Sequence, residues 1–151
     1  MTGNASYSCT MKTKNALIVA IAAALFSAAC VLAAETGKSV VLAKSDLKWK
    51  PMGNGVAAAP VSGDMDKGPS RFFLKYPAGL VTPLHHHTAN HHVTVISGSI
   101  TLTVGGKQHR LGPGAYFMLG DRAAHIAKVE GNEEAVFFIQ AEAPWDVVMA
   151  K

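Results

Sequence analysis

The chain has 151 residues, 49% of them hydrophobic and 16% charged, with two cysteines. That is material for one small core once any targeting segment is set aside. Its formal charge of +4 comes from 14 basic and 10 acidic residues, and removing Lys12 and Lys14 with the N-terminal segment leaves 12 against 10, or +2, which is no electrostatic footprint for nucleic acid.

In chain order, Lys12 and Lys14 precede an apolar, alanine-rich run, Ala16–Ala34, broken only by Ser27 and ending in small residues. This is the pattern of a secretory signal peptide over residues 1–34. The ten residues before Met11 carry no positive charge, so Met11 is an alternative start. Cleavage is expected after Ala34, with Ala33 as the alternative, giving a periplasmic or secreted protein with no stable membrane span after processing. Two other outcomes stay open on the same residues: an uncleaved N-terminal anchor, since nineteen residues can cross a bilayer, and lipid attachment at Cys30. Cys9 and Cys30 both fall in this segment, so the mature chain is expected to lack thiols and disulfides.

Residues 35–69 read as an approach segment. Its stretch Pro51–Pro69, rich in proline and glycine, is irregular, with a short strand around Val56–Ala59. From residue 70 to 151 the periodicity is that of short strands. Ser99–Val104 alternates Ile100, Leu102 and Val104 with Thr101 and Thr103. Gly105-Gly106 supplies a two-residue hairpin turn, and Lys107–Leu111 returns as the partner. Further strands are expected at Arg71–Tyr76, Leu80–His87, His92–Ile96, Ala115–Leu119, Ala124–Lys128, Ala135–Gln140 and Val147–Met149. The aromatic residues Phe72, Phe73, Phe117, Phe137, Phe138 and Trp145 are expected to line or plug the core. Many short strands at regular spacing point to an all-β, double-sheet jelly-roll barrel.

Five of the seven histidines, His85, His86, His87, His91 and His92, lie within eight residues of one another. Neutral imidazole is the commonest ligand for first-row metals, and His85 and His87, at i and i+2 of an extended segment, project from one face while His86 points away. The competing reading is a polar surface loop with adventitious metal affinity. His109, between Lys107 and Arg110 on the hairpin's return strand, reads as solvated surface. Tyr116 and Asp121 are weighed for proton transfer, although a turn explains Asp121 equally well.

Two segments together resemble the paired motifs of the cupin family, G-x5-H-x-H-x3-4-E-x6-G and G-x5-P-x-G-x2-H-x3-N. The first matches at Gly79, His85, His87 and Gly98, the second at Gly114 and His125, and the resemblance covers roughly Leu47–Met149. Departures are definite. Gly120 stands in place of the motif's proline, Arg122 in place of its second glycine, Val129 in place of its asparagine, and His91 in place of its glutamate.

The resemblance implies a single cupin-type double-stranded β-helix barrel with a metal held by His85, His87, His91 and His125, an all-histidine version of the family's set. A one-residue shift of register would offer His92 in place of His91. Such nitrogen ligands suit a divalent transition metal, Fe, Mn, Cu, Ni or Zn, and disfavour Mg and Ca. Four ligands leave open positions for a small-molecule ligand or substrate. The resemblance thus implies a metal-dependent dioxygenase or isomerase acting on a small oxygenated molecule, or alternatively a non-catalytic periplasmic binding or sensing module. It also implies pairing as a homodimer through the outer sheets. Free imidazoles would release such a metal as pH falls through about 6.5.

Overall fold

The computed structural model describes residues 39–151. The signal peptide, Met11, both cysteines and the cleavage positions lie outside the described residues. Among the described residues there is a 3-10 turn, Lys44–Asp46, followed by eleven strands: β1 (Lys50–Gly53), β2 (Val56–Gly63), β3 (Ser70–Tyr76), β4 (His85–His86), β5 (His91–Ser97), β6 (Ser99–Val104), β7 (Lys107–Leu111), β8 (Tyr116–Leu119), β9 (His125–Glu130), β10 (Ala135–Ala141) and β11 (Val148–Met149). No helix among them is long and apolar enough to cross a membrane.

The strands form two antiparallel sheets, β1-β2-β3-β10-β5-β8 and β11-β4-β9-β6-β7. Alternation decides which side chains face inward. On β3, β5, β9 and β10 every second residue is buried, which places Phe72 and Leu74, Val93 and Val95, Ala127 and Val129, and Phe137 and Ile139 in one core with Ile100 and Leu102 from β6. The hairpin β6–β7 has the expected residues, with Val104 opposite Lys107 and both turn glycines at positive φ, as a primed turn requires.

Three expectations are corrected. The stretch Pro51–Pro69 is largely not irregular: β1 and the eight-residue β2 within it extend the larger sheet. The expected strand Leu80–His87 shrinks to His85–His86, with Val81 making an isolated bridge to Lys128, because Pro83 cannot donate to a ladder. Finally, Phe73 and Phe138 do not line the core. They face each other across the register of β3 and β10 on the outer side of the larger sheet, with ring centroids 5.1 Å apart.

Gly98, at φ +73°, joins β5 to β6, and a Cβ there would lie 2.4 Å from the Glu134 carbonyl oxygen and 2.7 Å from Ala135 Cα. Gly79 has a similar φ of +71° with nothing within 4 Å of a built Cβ. The two glycines therefore separate backbone strain from close approach. Gly79→Ala should cost about 1 kcal/mol, the ordinary left-handed penalty, whereas Gly98→Ala should cost about 3 kcal/mol or more because the hairpin must also part from β10. Urea unfolding of both variants checks this, and equal losses would contradict it.

Candidate metal centre

The histidines come together because of strand register. His85 on β4 lies opposite His125 on β9 in the smaller sheet. His91 begins β5 in the larger sheet, between Leu119 of β8 and Ala141 of β10. His87 follows β4 by one residue. All four are buried, at 3% to 5% exposure, while His86 is half-buried and His109 exposed. His85, His87 and His125 have ligand atoms within 4.8 Å of one another, so this trio can hold a metal ion. His91 stands beside it, its ring centroid 4.7 Å from that of His87 and 6.1 Å from that of His125.

One hydrogen-bonding pattern governs all four rings. The Nδ1 atoms of His85, His91 and His125 contact the carbonyl oxygens of Pro83, Ala89 and Ala123, two residues earlier in each case, at 2.8, 3.1 and 2.9 Å. His87 Nδ1 contacts the Asp146 carbonyl. A carbonyl only accepts, so each Nδ1 carries the proton and donates it, leaving Nε2 with the free lone pair. The same arrangement orients histidine ligands in metal sites generally.

Burial sets the charge state. Loss of hydration holds the His87 pKa down at about 3 and that of His125 at about 4, and lowers that of His91; neighbouring histidines push the same way, while the bonds to the carbonyls oppose it. These three imidazoles are therefore neutral at ordinary pH and ready to coordinate.

The C-terminal segment closes over the rings. Trp145 stacks on His87 with centroids 3.9 Å apart and meets His91 and Phe72 edge-on, each at 5.1 Å. Its amide donates to the Met65 carbonyl at 2.7 Å. Asp146 accepts from the Thr88 amide at 2.7 Å and the Thr88 hydroxyl at 2.6 Å, and β11 pairs with β4 so that Met149 faces His85. Sequence reasoning took Trp145 as a core plug and gave Asp146 no part. No local motif links residue 87 to residue 146.

His92 points outward, as strand parity requires. Its Nδ1 accepts from the Tyr116 hydroxyl at 2.7 Å and its Nε2 donates to Glu142 at 3.2 Å. Tyr116 is thus on the outer face, away from the trio. Asp121 and Arg122 form a turn with φ of +52° and +55°, Arg122 adopting the left-handed conformation where the motif has glycine. Tyr116 and Asp121 are both exposed, and neither lines the chambers beside the trio.

Two chambers adjoin the rings. An inner one of about 30 Å³, room for a water-sized group, is lined by His87, His91 and His125 among apolar core residues. An outer one of about 310 Å³ has His85 and His87 in its wall. Tyr76 and Trp145 line both.

Comparison with known proteins agrees with this architecture. Residues 72–140 match the family model described as Cupin domain. An 83-residue stretch, 54% of this chain, is 32% identical to the DNA damage-repair/toleration protein DRT102 of Arabidopsis thaliana, and it spans only 26% of that protein's length. Among solved structures, the polyketide cyclase RemF from Streptomyces resistomycificus superimposes with a TM-score of 0.62 at 17% identity, covering 76% of this chain and 87% of that one. An RmlC-like cupin from Shewanella frigidimarina gives 0.59 at 14% identity, covering 72% and 92%. The matched motif, the two-sheet topology and the inward histidines agree, and the barrel of this chain is a cupin domain.

Proposed function

We propose that His85, His87, His91 and His125 hold one divalent transition metal, Fe, Mn, Cu, Ni or Zn, and that the protein is an exported metal-dependent oxidoreductase of the dioxygenase type acting on a small oxygenated molecule. The observation that carries this reading is the shared tautomer: four buried imidazoles donate Nδ1–H to backbone carbonyls and keep Nε2 free. Export rests on the charged and apolar pattern of Lys12 to Ala34.

The donor set fits such an ion, because neutral nitrogen ligands suit these metals. When bound, the metal supplies Lewis acidity and, if redox-active, electron transfer. The chain's own residues orient and shield: the carbonyls fix the rings, and Trp145 covers His87. Neither chamber is lined by an aspartate, glutamate, lysine or arginine. With no carboxylate placed as a general base, the surroundings suit Lewis-acid or redox chemistry better than hydrolysis.

Substitution tests the ligand set. His85→Ala, His87→Ala or His125→Ala should weaken Zn(II) binding by on the order of 100-fold or more, and His91→Ala by about 10-fold. His91→Glu should retain the metal, while His86→Ala and His109→Ala should bind like the parent. Calorimetric titration of the purified variants measures this. If His125→Ala binds like the parent while His86→Ala does not, the assignment fails; if only His91→Ala is silent, the set shrinks to three.

The acid dependence follows from the lowered pKa values. The ordinary histidine value of about 6.5 describes the unfolded chain, and the folded values for His87 and His125 are about 3 and about 4. Between those limits the unfolded chain binds more protons, so stability is fully present above about pH 6.5 and is lost as pH falls toward 4 and 3, at about 1.4 kcal/mol per pH unit per histidine. The metal-free protein should accordingly melt at lower temperature at pH 5 than at pH 7.5. Proton competition for metal moves down with the same groups. On folded protein the affinity should fall between pH 8 and pH 5 by far less than the roughly 10⁴-fold that three free imidazoles would impose. A full loss centred at pH 6.5 would mean that the rings are solvated, contrary to this account.

A further inference from the structure

The outer chamber meets the histidine trio at His85 and His87, and its chemistry is one-sided. Its walls include Met52, Val56, Leu74, Leu80 and Val147, and apart from His85 and His87 no ionisable side chain other than Tyr76 is among its lining residues. At about 310 Å³ it has room for more than a single aromatic ring, since about 150 Å³ accommodates benzene. A charged group lodged there away from the histidines would lose its hydration with no partner to replace it.

Tyr76 ends β3 where the two chambers meet, its ring 5.2 Å edge-on from Phe137. Burial pushes its pKa up to about 12, with no hydrogen bond contributing, so the phenol stays protonated and is available as a donor. The polar groups nearer the rim are Asn54 and Thr82, and the Thr82 hydroxyl already accepts from the Ala127 amide at 2.9 Å.

We propose that the substrate of this site is a single-ring-sized or slightly larger molecule whose polar oxygen end faces the histidines and Tyr76 and whose remaining body is apolar and uncharged. This excludes molecules that carry a charged group at the end remote from the histidines, such as dicarboxylates, because the walls there offer no counter-charge. The inference deepens the metal-site reading by naming the substrate class, and Tyr76 is its positioning residue.

The test uses two probes of matched shape, 4-ethylcatechol and 3,4-dihydroxybenzoate, which share the diol and differ in the group at its far end. The chain has two tryptophans, so Trp49→Phe leaves Trp145, on the chamber wall, as the reporter of binding. Fluorescence titration is run first on metal-free protein and then with Zn(II) bound. The expected result is at least about tenfold tighter binding of 4-ethylcatechol in both states. Val147, 58% exposed at the rim, can be changed to arginine without disturbing the core, and Val147→Arg should reverse or abolish the preference by supplying a cation. Tyr76→Phe should weaken 4-ethylcatechol about fivefold, the equivalent of one hydrogen bond, and leave ethylbenzene unaffected. Equal affinities, tighter binding of the carboxylate by the parent, or no quenching by either probe would overturn the inference. Failure to bind Zn(II) with the preference intact in metal-free protein would instead overturn the metal reading alone.

Discussion

Everything at the barrel mouth depends on the hydrogen bond from each histidine Nδ1 to a backbone carbonyl. A buried imidazole is costly unless one nitrogen is satisfied, and in three of the four the acceptor is two residues back along the same chain. The side chain is thereby fixed by its own strand entry, independent of any partner. His87 is the exception: its acceptor, the Asp146 carbonyl, lies 59 residues away. The C-terminal segment is therefore part of the site as well as its cover, and the Thr88–Asp146 bonds fasten the two together.

The same burial that orients the rings sets up an electrostatic tension. The His87 ring lies beside those of His85, His91 and His125, and the lowered pKa values of His87, His91 and His125 record both the lost hydration and the repulsion. Folding places neutral nitrogen donors side by side and thus prepays the deprotonation that coordination requires. The site resists acid at the expense of the fold: protons that cannot enter the native rings favour the unfolded chain instead. A solvated histidine loop would show neither effect.

Much of this was legible in the sequence because it is local. Period-two alternation located β6 and β7 to the residue, and the paired glycines specified their turn. Parity alone separated His85 and His87 from His86, whereas the choice of His91 over His92 rested on the motif and stayed open to a register shift until the outer-face bonds of His92 to Tyr116 and Glu142 accounted for it. What was not legible is nonlocal. Phe73 and Phe138 carry the same apolar signal as Phe72 and Phe137; parity sets the two pairs on opposite faces, and only the packing of the sheets reveals that the face of Phe72 and Phe137 is the buried one. Pro83 interrupts an apolar run that otherwise reads as a strand. The closure of residues 142–150 over His87 depends on contacts with Met65, Leu84 and Thr88 that no sequence window contains.

The central claim is that the inward histidines carry a proton on Nδ1, donated to a backbone carbonyl, and coordinate through Nε2. Long-range ¹H–¹⁵N correlation spectra of the imidazole nitrogens, recorded at neutral pH before and after one equivalent of Zn(II), test it directly. The account predicts that His85, His87 and His125 are Nδ1–H tautomers in the metal-free protein, that Zn(II) shifts their Nε2 resonances, and that His86 and His109 are unchanged. Coordination through Nδ1, or imidazolium at His87 or His125 at neutral pH, would contradict it.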